Sequence, residues 1–184
     1  MKTKLLICAC ILSSAIYTSA VAQGDPKTAK DKNEKKSETS IGEEDMKFAV
    51  FAAETGMKEV QLGKIAQKNG STPQVKELGR KMVEDHSKAN DELKALAGKK
   101  NITLPTKMSE KNQNDYEKLA KLKGTEFDKA YTKAMVKDHE MVIEAYEKEA
   151  EKGEDPELKA WASSQLPALK HHLEMFEESP SATK

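Results

Sequence analysis

Cysteine is nearly absent from this chain of 184 residues: Cys8 and Cys10 are the only two, both within the first ten positions. The rest of the sequence therefore has no disulfide framework, no thiolate metal ligand and no cysteine nucleophile. Aromatic residues make up only 5%, which argues against a sheet-rich core. There is no glycine-rich phosphate loop, and no Ser-His-Asp pattern in a strand context. No sign of charge dominates, because 31 basic residues face 31 acidic ones and are mixed along the chain. A basic face for nucleic acid or anionic lipid is thus excluded. Long apolar runs are missing too, since Leu5 to Ile16 falls short of the roughly 20 residues a spanning helix needs.

What is present is charge and helix-forming side chains. Charged residues reach 34%, with Ala, Glu, Leu, Lys and Met prominent, the composition of solvent-facing helices, and the length suits one domain. At the amino terminus Lys2 and Lys4 precede the apolar run, and Ala20-Val21-Ala22 offers the small-x-small pattern of signal-peptidase sites. Residues 1–22 read as a signal peptide, and the protein as exported, either periplasmic or associated with the outer membrane, with no membrane anchor in the mature chain. Ile7-Cys8-Ala9-Cys10 loosely resembles a lipobox, but the apolar stretch before it is too short. Residues 23–42 lack large apolar side chains over most of their length and read as a flexible polar linker. Residues 179–184 read as a disordered tail.

Residues 43–178 carry four apolar stripes at helical spacing. The first helix, with Ser40 and Glu43 at capping-box spacing, turns Phe48, Ala52, Thr55, Glu59, Leu62 and Ala66 inward and stops at Asn69-Gly70. The second starts at Thr72-Pro73, turns Val75, Gly79, Met82, His86, Ala89, Leu93 and Leu96 inward and ends at Gly98. Thr125 and Asp128 mark the third, with Tyr131, Met135, His139, Val142, Tyr146 and Ala150 as its stripe. The fourth follows Asp155-Pro156 and carries Leu158, Ala162, Leu166, Leu169, His172 and Phe176, with Pro167 inside it as an expected kink. The connection from Lys99 to Gly124 holds a short helix, Ser109 to Leu122, and is too long for a tight turn. It can travel the length of a bundle about 40 Å long. The fold class expected is all-α: a ferritin-like four-helix bundle of two hairpins joined by a long crossover, which makes the second and third helices parallel.

Four polar residues interrupt the stripes, one on each helix: Glu59, His86, His139 and His172. Counted from the hairpin turns, they fall near one height in the bundle, where helical bundles build metal sites from facing side chains. Three imidazoles and a carboxylate suit Zn²⁺, while Met82 and Met135, one turn before His86 and His139, suit copper or simply fill gaps in the core. A ferritin-type di-iron centre is disfavoured because Glu-x-x-His is absent: Val83, Val136 and Leu169 stand three residues before these histidines. The bland alternative is a hydrogen-bonded polar layer satisfied by Asp85, Asp138, Asn90 or water. His171 points away from His172 and reads as surface.

The segments Glu59-Val-Gln-Leu-Gly-Lys-Ile-Ala66, Met82-Val-Glu-Asp-His86, Phe127-Asp-Lys-Ala-Tyr131, Met135-Val-Lys-Asp-His139 and Leu166-Pro-Ala-Leu-Lys-His-His-Leu173 make the chain resemble the domain-of-unknown-function family 4142. The resemblance covers about Glu43 to Glu178. It implies a bacterial, exported protein with a ferritin-like bundle, of a kind often labelled as outer-membrane proteins, and it carries no established chemistry.

Three functions fit these observations. The first is a binding or protective protein whose mid-bundle Glu/His site holds a transition metal. The second is a metal-dependent oxidoreductase using the same residues, with an open coordination position. The third is a structural or interaction bundle whose polar layer sets helix register without metal. No residue is assigned a catalytic role, and the sequence carries no signal for oligomeric state.

Overall fold

The computed structural model describes residues 24–35 and 41–179, and among them every regular element is a helix. The elements are α1 (Pro26–Glu34), α2 (Glu43–Asn69), α3 (Pro73–Lys99), α4 (Glu110–Lys121), α5 (Gly124–Lys152) and α6 (Pro156–Glu177). No helix among the described residues is long and apolar enough to cross a membrane. The signal-peptide expectation for 1–22 and residues 180–184 of the expected tail lie outside the described residues, whereas Ser179, the tail's first residue, is buried and donates its amide to the Phe176 carbonyl.

Local chemistry explains most of the boundaries. Thr72 and Asp155 act as N-caps ahead of prolines at the first helical turn, Thr72 accepting from the Val75 amide and Asp155 from those of Glu157 and Leu158. Ser109 caps α4 in the same way, accepting from Asn112. Two expected starts differ. The N-cap of α2 is Gly42, without a side-chain bond, so Glu43 is the first helical residue and not the third that a capping box requires. Ser40 itself lies outside the described residues. The N-cap of α5 is Lys123, and Asp128 instead accepts from the amide and hydroxyl of Ser71, tying the α2–α3 turn to α5.

Two helix ends also differ from expectation. Gly70 leaves α2 in extended backbone (φ −58°, ψ 141°) rather than left-handed, and an added Cβ would lie 2.7 Å from the Ala66 carbonyl oxygen. Lack of room selects glycine there. Gly98 stays within α3, and Asn101, at φ 55°, makes the left-handed turn.

Ion pairs and hydrogen bonds at three heights fix the topology. Glu44–Lys148, Lys58–Asp138 and Ser71–Asp128 make α2 and α5 antiparallel. Lys100–Asp155, Glu92–Trp161 and Asp85–His172 do the same for α3 and α6. Helices α3 and α5 consequently run parallel, as a crossover demands. The crossover is pinned along α2: the Ser109 amide and Asn112 side chain donate to Glu54 at its start, and Asn69 donates to the Ala120 and Leu122 carbonyls at its end.

Residues 23–42 are not a flexible linker throughout. Asp25 accepts from Thr28 and caps α1, which buries Ala29 and Asn33, and Asn33 exchanges two hydrogen bonds with the backbone of Thr103. Polar contacts to the crossover do the work that apolar burial was expected to do. Along the bundle the core divides into two apolar clusters. One is built on Phe48, Leu93, Tyr146, Leu158 and Trp161, the other on Leu62, Met82, Phe127, Tyr131 and Phe176.

Candidate metal centre

Between these two clusters lies a polar layer. Glu59, His86, His139 and His172 are 2%, 6%, 0% and 1% exposed, and each occupies the stripe position of its helix. One ring nitrogen from each of His86, His139 and His172 lies within 4.8 Å of the other two. The rings meet at centroid separations of 5.3 to 5.8 Å, and Phe176 closes one side at 5.5 Å from His139.

Each imidazole uses one nitrogen on an outer partner. His139 donates from Nδ1 to the Met135 carbonyl at 2.9 Å; a carbonyl only accepts, so the ring proton sits on Nδ1 and Nε2 keeps its lone pair. His172 reaches Asp85 Oδ2 through Nε2 at 2.8 Å, which leaves the lone pair on Nδ1. His86 Nδ1 lies 3.0 Å from Glu59 Oε2, and Glu59 Oε1 is 3.8 Å from His139 Nδ1. The nitrogens left over, His86 Nε2, His139 Nε2 and His172 Nδ1, have no partner within the protein. Buried unsatisfied polar atoms cost about 1–3 kcal/mol each, so three of them in one layer make an expensive arrangement unless something fills it.

All four sequence-selected residues are brought together, but not in equivalent roles. The three imidazoles form the inner group, whereas Glu59 lies behind two of them as an outer partner and is outside the ligand cluster. Asp85, first named only as a hydrogen-bond partner in a metal-free layer, takes the same outer place behind His172. Two more residues belong to this surround. Lys58 lies 2.6 Å from Asp138 Oδ2 as a charge contact, and Lys81 lies 2.9 Å from Asp85 Oδ2. Lys58 carried no apolar-stripe signal, and only its place beside Glu59 hinted at a buried role. His171 is on the surface near Glu174, as expected.

Electrostatics keep the inner group neutral. Burial, together with neighbouring His139 and His172, holds His86 well below the ordinary histidine value; burial and His172 push His139 down to about 4. His172 is also lowered by burial, against the pull of Asp85. Burial and the Asp138 carboxylate push Glu59 up to about 8, with Lys58 opposing. At neutral pH the layer therefore presents three uncharged imidazoles, the protonation state that ligates metal ions.

A family described as "Domain of unknown function (DUF4142)" matches residues 30–178. The chain belongs to the DUF4142 family. No curated protein matches it. Among solved structures, one described as "CopM in the Cu(II)-bound form" is similar in fold, with a TM-score of 0.62 at 16% identity, covering 73% of this chain and 93% of that one.

The three histidines of this DUF4142 chain are close enough to hold one metal ion. Imidazole nitrogens about 2.0–2.1 Å from one ion lie roughly 3.3–3.6 Å apart, so the observed cluster would close by no more than about 1.5 Å. Outer carboxylate and carbonyl partners that fix ring orientation are the usual surround of histidine ligands.

Proposed function

We propose that this protein binds one transition-metal ion through His86, His139 and His172 and holds it for sequestration or delivery rather than turnover. The observation that carries the reading is the convergence of three buried, neutral imidazoles whose inner nitrogens lack protein partners. Glu59, Met135 and Asp85 hold those rings from outside. Imidazole donors suit both copper and zinc, and the general order of divalent affinities puts copper above zinc. The fold neighbour captured with Cu(II) makes copper the first ion to test. Deep burial of every donor favours holding over catalysis, which needs a coordination position open to substrate. The amino-terminal Lys2 to Ala22 pattern supports export, and with it a role in the cell envelope.

Protein purified without chelator should take up one equivalent of copper(II) or zinc(II), as read by elemental analysis after desalting, and His139→Ala should take up none. Equal metal content in the two proteins would defeat the reading. The outer contacts of Glu59 and Asp85 favour a second reading, a metal-free layer fixing helix register. In that case neither protein retains metal, and His139→Ala loses stability alone.

A further inference from the structure

We infer that Asp85, with Lys81 lying across it, is the point at which the ion is admitted to the three-imidazole site. This rests on the reading that the ion binds His86, His139 and His172. The groups that touch those rings differ in their access to water. Glu59 is buried at 2% exposure, and the Met135 carbonyl bond to His139 is buried within its own helix. The Asp85 side chain is 32% exposed and still reaches His172 Nε2 at 2.8 Å. It therefore joins solvent to the cluster.

The Met-Val-x-Asp-His motif occurs twice, and its two aspartates have different surroundings. Asp138, next to His139, is held by Lys58 at 2.6 Å, with side chains 16% and 10% exposed. That side is sealed. Asp85, next to His86, is held by Lys81 at 2.9 Å, with side chains 32% and 33% exposed. Lys81 and His172 approach the same oxygen, Oδ2, so a cation arriving at Asp85 competes with both. A half-buried lysine on a flexible stem, paired at the edge of solvent, gives way readily, because such pairs are weak. Once Lys81 has withdrawn, His172 links Asp85 to the other two imidazoles: its Nε2 faces the carboxylate and its Nδ1 has no partner. Movement of that ring connects the outside with the inside. Lys81 thus slows loading by repulsion and by occupying the carboxylate, and Asp85 speeds it by attraction.

Stopped-flow measurement of copper(II) uptake, and of copper removal by excess EDTA, tests the route in the full chain. Lys81→Met should raise the uptake rate about threefold to tenfold, and Asp85→Asn should lower it by about tenfold, the scale on which local charge steers ions. Lys64→Met, an equal loss of charge at an exposed position on α2, should leave the rate unchanged. A purely structural Asp85 would give another pattern, faster removal with native uptake, and that result overturns the proposal. So do native uptake rates in both Lys81→Met and Asp85→Asn. His139→Ala is run alongside: full copper binding there would remove the three-imidazole site itself and the route with it, whereas its loss leaves the uptake rates to judge the route alone.

Discussion

His139 and His172 come from the two arms of one hairpin, and their rings meet at 5.5 Å, each tied on its far side to an acceptor that cannot donate: the Met135 carbonyl for His139 and the Asp85 carboxylate for His172. The acceptors dictate which nitrogen carries the proton, and hence which keeps its lone pair.

If these lone pairs bind copper, copper should stabilise the fold by mass action, about 2.7 kcal/mol at a hundredfold excess over the dissociation constant. The rise in melting temperature should be present in the native protein and absent in His139→Ala. An equal rise in both would show that the ion binds elsewhere.

Glu59→Gln keeps the size of the side chain but replaces the carboxyl group behind His86. Outer partners of this kind typically contribute ten- to a hundredfold in metal affinity, and a loss of that order is expected by competition titration. Unchanged affinity would make Glu59 a packing residue only.

The hairpin of α2 and α3 closes on two glycines. A Cβ on Gly63 would lie 2.6 Å from the Gly79 carbonyl oxygen, and one on Gly79 would lie 2.7 Å from that of Gly63. Alanine at either position must push the two backbones apart and should destabilise by about 1–3 kcal/mol in chemical denaturation. Gly98 lies within α3, and nothing comes within 4 Å of an added Cβ, so Gly98→Ala should stabilise by about 0.5–1 kcal/mol. Similar effects at all three positions would contradict the close-approach argument.

Glu149 is buried, with Oε1 unpartnered, and burial together with the Asp45 and Asp155 carboxylates pushes its pKa up to about 7. A raised acid favours the folded state fully below its unfolded pKa of about 4.3, and that contribution is lost as pH rises through 7. Relative to the native protein, Glu149→Gln should therefore gain in melting temperature between about pH 4.5 and 7 and level off above. A difference that does not vary with pH would refute the assignment.

The four stripes and the mid-bundle layer were legible because a histidine or glutamate at a helix's apolar position breaks a strong periodicity. Thr72-Pro73 and Asp155-Pro156 were legible for a similar reason, since caps act within three residues. Asp25-Pro26 has the same form and does start α1, but the segment it opens is held by Thr103 and Thr106 about seventy to eighty positions away. Local composition has no access to such partners. The division of labour in the layer was hidden for the same reason. Glu59 looks like a ligand from its helix, and only the rotations of three other helices place it behind the rings rather than among them.

The three histidines also divide unevenly along the chain: His86 belongs to the first hairpin, and His139 and His172 belong to the second. An ion shared by them would cross-link the halves, closing the long loop between His86 and His139 much as a disulfide closes one. Beyond its first ten residues the sequence has no cysteine with which to do this covalently. The loaded protein would then resist proteases as a clasped object, and would become digestible once a chelator or a receiving partner undid the clasp.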